Sequence, residues 1–131
     1  MPLVTETDVK VRNPDMDAQG WVNNARYLEY FGEGRLDHLA RLRQGVEAPG
    51  TFTLAESLIQ YKSPARHRDV LRVKVWTKEI GGKSFTLGME MVNAATGRIV
   101  AQGHSVQVWL IDGKPASIPG PFRKVLEQSM A

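Results

Sequence analysis

Val11-Arg12-Asn13-Pro14-Asp15-Met16-Asp17-Ala18-Gln19-Gly20-Trp21-Val22-Asn23-Asn24-Ala25-Arg26-Tyr27-Leu28-Glu29-Tyr30-Phe31 is the stretch on which the reading of this chain turns, because the hydrophobic period changes across it. Before it, Leu3 to Arg12 alternates Thr7, Val9 and Val11 against Asp8, Lys10 and Arg12, the pattern of a half-buried strand. Pro14, Asp15, Asp17 and Gly20 then supply the chemistry of a compact loop. From Asn24 to Gln44 the apolar residues Leu28, Phe31, Leu36, Leu39 and Leu42 recur at helical spacing, and Asn23 stands where a helix cap belongs. Gly32 and Gly34 inside that helix each cost about 1 kcal/mol relative to alanine, so a close approach of a strand or ligand, or a bend, must offset them. Gly45, Pro49 and Gly50 end the helix.

Downstream the chain reads as strands: Thr53 to Lys62, Val70 to Ile80, Ser84 to Val92 and Arg98 to Ile111. The second is clearest, with Leu71, Val73, Val75 and Thr77 on one face and Arg72, Lys74 and Lys78 on the other. Gly81-Gly82 and the segment Asn93 to Gly97 predict hairpin connections, Gly103 predicts a bulge, and Pro121 to Gln128 predicts a short helix. The order of strand, long helix and four antiparallel strands predicts an α+β fold in which one curved sheet wraps one helix.

The chain has 131 residues, the size of one domain spanning 1–131. It contains no cysteine, which excludes thiolate nucleophiles, thiolate metal sites and redox pairs. Apolar and charged fractions of 42% and 24% are those of a globular protein. The net charge of +3 comes from 17 basic and 14 acidic residues, too small an excess for a nucleic-acid reader and compatible with a small anionic ligand. Neither a secretory pattern nor an apolar run of membrane-spanning length is present, so a cytoplasmic location with no membrane partner is expected.

In physical terms the opening stretch sets a pair of carboxylates just before a glycine turn that leads into a helix N-terminus. Carboxylate and unpartnered backbone N–H donors then share one small region, a combination able to polarise a carbonyl and attack it. The plainer alternative is that Asp15 and Asp17 only close an Asx turn.

The same residues carry a resemblance. Asp15, Asp17, Gly20, Val22, Asn23, Asn24 and Tyr27 stand in the frame Asp-x-Asp-x-x-Gly-His-Val-Asn-Asn-x-x-Tyr, and the segment resembles the signature of hotdog-fold acyl-CoA thioesterases of the 4-hydroxybenzoyl-CoA thioesterase type. Only the histidine differs, being Trp21 here. The resemblance implies a hotdog fold, a curved antiparallel sheet of about five strands around one long helix. It also implies hydrolysis of an acyl or aroyl thioester to the carboxylate and free coenzyme A. By it Asp17 is the catalytic carboxylate, acting as nucleophile or as general base, and the Asn24 backbone N–H is the donor to the thioester carbonyl. Gly20, Trp21, Val22, Asn23 and Tyr27 would shape the turn or touch substrate.

Arg66, His67 and Arg68 form a cationic group on a later loop, suited to coenzyme A phosphates or simply solvated. Arg68-Asp69 stands where the family often has Gly-Asp. His38, His67 and His104 lie on separate elements with no shared ligand spacing, so no metal is expected, and coenzyme A enters as substrate rather than as a cofactor. Two alternatives stay open. A non-catalytic binder of acyl thioesters would not need Asp17; a hotdog hydratase or dehydratase would want the missing histidine. The resemblance further implies pairing of chains, as a homodimer or homotetramer, with the site at the interface.

Overall fold

The computed structural model describes residues 1–131. Its elements run β1 (Val4–Lys10), a single 3₁₀ turn at Asn13–Asp15, α1 (Asn24–Arg43), β2 (Thr51–Tyr61), β3 (Val70–Ile80), β4 (Ser84–Asn93), β5 (Ile99–Ile111), a two-residue β6 (Lys114–Pro115) and α2 (Gly120–Ser129). All neighbours in the sheet are antiparallel, in the order β1-β3-β4-β5-β2, with β6 on β5. The hotdog architecture expected from the opening stretch is present, with α1 lying in the concave face. Of the four strands after the helix, β3, β4 and β5 form a meander, while β2 crosses to the far edge and pairs with β5. No helix is long and apolar enough to cross a membrane.

The concave face is built by alternation: Leu71, Val73, Val75 and Thr77 of β3 and Phe85, Leu87, Met89 and Met91 of β4 all point inward and are buried. Against them α1 buries Tyr27, Tyr30, Phe31, Gly34, His38, Leu39 and Leu42. Gly34 is required by contact, since a Cβ there would stand 2.5 Å from Val73 Cγ1. The helix therefore seats directly on β3, the offset its composition demands. At the other end α2 sets Phe122 between Phe85 and Trp109, with ring centroids 5.8 Å and 5.0 Å away.

Two expectations are corrected. Leu28 and Leu36 are not core residues: they are 50% and 58% exposed, because α1 packs over β1, β3 and the edge of β4 with its other residues, and Leu28 lines a space beside β2 instead. Gly103 is not at a bulge. The β4–β5 register slips at Val100, between the pairs Met91↔Ala101 and Val92↔Ile99, while Gly103 pairs regularly with both Met89 and Ile59. Its missing side chain lets the β2 backbone at Leu58 press close, and a Cβ would collide with the Leu58 carbonyl.

Candidate active site

The loop between β1 and α1 is a small closed structure. Met16 and Val22 form an isolated antiparallel bridge, Asp17 N–H donates to the Trp21 carbonyl at 2.7 Å, and Gly20 N–H donates to the Asp17 carbonyl at 3.2 Å. Gly20 sits at φ +86°, where a side chain would be strained, so its glycine serves the turn. Asp17 Oδ1 accepts from the N–H groups of Gln19 and Trp21 at 2.9 and 3.1 Å. The Asx turn read as an alternative thus exists, and it does a second thing: it locks one carboxylate oxygen and fixes the direction of the other.

Asp15 is the structural member of the pair. Its carboxylate, 1% exposed, accepts from Tyr30 Oη at 2.7 Å and from the Arg12 backbone N–H at 3.3 Å, with Arg12 Nη2 and Arg26 Nε at 3.4 and 3.5 Å. Burial works to raise its pKa, but the hydrogen bonds from Tyr30 and Arg12 prevail and hold it below the usual value. Tyr30 is pushed well up, by burial first and then by donating to Asp15.

Asn23 caps α1 rather than facing a cavity. Its Oδ1 accepts from Ala25 N–H at 3.0 Å and its carbonyl from Arg26 N–H at 2.9 Å. The Asn24 N–H has no acceptor in the chain. Asn24 lines, with Asp17, Trp21, Val22 and Tyr27, a cavity of about 410 Å³. The opposite wall is Tyr61, Lys62, Ser63 and Pro64 at the end of β2. Tyr61 Oη donates to the Asn24 carbonyl at 3.4 Å and its ring meets Tyr27 edge-on at 5.1 Å. Tyr27 is 3% exposed, accepts from Ala65 N–H at 3.4 Å, and has its phenol pKa raised chiefly by burial; it is a core aromatic with one edge on the cavity.

A neighbouring cavity of about 330 Å³ shares Trp21. Arg66 lies over the indole, its guanidinium carbon 4.5 Å from the ring centroid, and Arg98 lines the same space. Of the predicted cationic group only Arg66 reaches a cavity: His67 and Arg68 are exposed and line none. Arg68 takes φ +76°, a position that favours the glycine the family often has there. The sequence reading missed Tyr61, Ser63, Pro64 and Arg98. Tyr61 to Pro64 lie at the end of a strand and carry no spacing that ties them to the opening stretch, and Arg98 lies after a hairpin, where no local spacing ties it to Arg66.

A family model described as "Thioesterase-like superfamily" matches residues 11–126. The long-chain acyl-CoA thioesterase FadM of Escherichia coli K12 is 32% identical over 128 residues, covering 94% of this chain and 97% of that protein. Among solved structures, a Thermus thermophilus thioesterase complexed with coenzyme A and Zn is 29% identical at TM-score 0.83, covering 95% of this chain and 92% of that one. The probable thioesterase YbaW of Escherichia coli is 28% identical, also at TM-score 0.83, with coverage of 97% and 99%. With the match spanning nearly all of the chain and the loop geometry intact, this protein belongs to the thioesterase-like superfamily, on the hotdog fold.

Proposed function

We propose that this protein hydrolyses acyl-coenzyme A thioesters, with Asp17 as its catalytic carboxylate and the Asn24 N–H as the donor to the thioester carbonyl. The observation that carries the reading is that Asp17 and Asn24, whose N–H has no acceptor in the chain, line the same cavity. The named activity of FadM and the coenzyme A bound by the Thermus relative support the substrate class.

The Asn24 N–H, at the positive end of the helix, stabilises the negative charge that forms on the carbonyl oxygen as the carbonyl carbon is attacked. Asp17 either attacks that carbon, giving an anhydride that water then cleaves, or removes a proton from an attacking water. Both routes expel a thiolate whose conjugate acid resembles a cysteine thiol, of pKa about 8.5, so departure near neutral pH needs little protonation. One carboxylate then suffices, and the absence of the family histidine at Trp21 is no obstacle. That absence does weigh against a hydratase, and Asp17 lining the cavity weighs against a mere binder. Arg66 on Trp21, with Arg98 beside it, offers donors for the phosphates of coenzyme A. Two chains pair through the β2 edge, bringing a second subunit against the open side of the site, in the cytoplasm as the composition expects.

Asp17→Asn tests the assignment. The amide keeps an oxygen for the Gln19 and Trp21 N–H groups, so the loop survives while the charge is lost. Free-thiol release should fall by about a hundredfold or more, with an unchanged circular dichroism spectrum. A variant with near wild-type kcat would overturn it.

A further inference from the structure

A groove on the concave face lies beyond the residues assigned to the chemistry. It is a space of about 170 Å³ between α1 and β2, walled by Leu28, Phe31, Leu54 and Met89 and widened by Gly32. It lies further along the same two elements, α1 and β2, that wall the cavity at Asp17. Asn24, Leu28, Gly32 and Arg35 succeed one another along one side of α1, and Tyr61, Ser57 and Leu54 follow in reverse along β2. At 1.5 Å per residue, the helix from Asn24 to Arg35 spans about 16 Å. An acyl chain whose carbonyl sits at Asn24 therefore has one direction in which to run.

One stretch of this groove is not hydrocarbon-like. Ser105, 1% exposed, stands opposite Ser57 in the β2–β5 pairing, and both line the groove. Ser105 Oγ lies 2.6 Å from the Gln107 side-chain amide, and neither side chain makes another hydrogen bond within the chain. Gln107 is fully buried, and its Oε1 has no partner. Arg35 lines the same space, half-buried, and makes no ion pair or hydrogen bond within the chain. A plain alkyl chain laid here would give the buried Ser105–Gln107 pair no further partner and would press hydrocarbon against the half-buried guanidinium, which is costly.

We propose that the groove selects acyl groups carrying an acceptor oxygen far from the thioester, a hydroxyl or a carboxylate, with the Ser105 hydroxyl and the Arg35 guanidinium as its donors. The proposal deepens the hydrolase reading and rests on it for the direction of the acyl chain. The two sources of oxygen differ in what they ask of Arg35. A hydroxyl is served by Ser105 alone, whereas a carboxylate also uses the cation.

The test separates binding from hydrolysis. Hydrolysis-resistant coenzyme A thioethers bearing a dodecyl chain that ends in methyl, hydroxyl or carboxylate are titrated calorimetrically into the intact protein. At least one oxygenated end should bind about tenfold tighter than the methyl end, the effect of one well-made hydrogen bond in a dry site. Ser105→Ala should bring that ratio close to one. Arg35→Met, on the half-exposed helix face, should lower the carboxylate arm alone, and it gives a second reading should Ser105→Ala fold poorly. Equal or tighter binding of the methyl-ended chain by the wild type overturns the proposal, as does a ratio unmoved by both substitutions. Discrimination among thioethers without thiol release from the matching thioesters would sink the hydrolase reading and leave this one standing. Thiol release without discrimination does the reverse.

Discussion

His38 is the residue whose environment departs furthest from anything its neighbours in the sequence announce. It is fully buried under α1, with Nδ1 2.7 Å from Thr5 Oγ1 and Nε2 3.3 Å from Thr77 Oγ1, while Ser129 Oγ of α2 donates to Thr77 at 2.7 Å. Burial first, and then the positive charge of Arg41, lowers its pKa from 6.5 to about 4. Between those two values the unfolded chain holds a proton that the folded one refuses, so stability is fully present above pH 6.5 and is lost as pH falls toward 4. The loss amounts to up to about 3 kcal/mol. Urea denaturation at pH 7.5 and at pH 5 should show this slope in the wild type and a much flatter one in His38→Gln. Asp15, whose carboxyl lies below its usual value, adds its own loss only at still lower pH. Spacing placed His38 on the helix but not in the core, because a polar residue's burial is decided by hydroxyls on β1, β3 and α2 far away in the chain.

Within α1, two glycines one residue apart serve opposite ends. Gly34 is filled by Val73, so Gly34→Ala should overpack the seat on β3 and destabilise by about 1–3 kcal/mol, read from the denaturation midpoint. At Gly32 a Cβ would meet nothing within 4 Å, so Gly32→Ala should instead stabilise the helix by up to about 1 kcal/mol. It should also narrow the groove and raise KM for long acyl chains more than for short ones. The helix boundaries and the faces of β3 were legible because cap, period and turn residues all agree locally. The helix face was less so. Leu28 and Leu36 carry the same period as Leu39 and Leu42, and period alone does not tell a core face from an exposed one. Gly103 misled for a related reason, since a bulge and a close backbone approach both call for glycine. The loop half of the site, Asp17 to Asn24, could be read as one segment; the β2 half, Tyr61 to Pro64, could not.

For the whole molecule, β2 is the longer of the two sheet edges: eleven residues against seven in β1, largely exposed and paired on one side only. An edge of that length is a template for another strand, and it adjoins the uncovered groove. Sedimentation should give a mass of at least two chains. Hydrogen exchange at the outward amides of β2 should be as slow as in β3 and β4, whereas a monomer would exchange them within seconds. The order β1-β3-β4-β5-β2 has a further, kinetic consequence. The hairpins β3–β4 and β4–β5 close over short turns, but Val9 reaches Leu71, and Ile59 reaches Gly103, only across long loops. The meander is therefore the natural nucleus. Leu87→Ala should slow folding, while Ile59→Val should act mainly on unfolding, as stopped-flow chevrons would show. In the proposed pairing β2 is both the late strand and the meeting edge, so completing the sheet and meeting the partner become one event. Its rate should rise with protein concentration, so that a dilute nascent chain waits longest with this edge open.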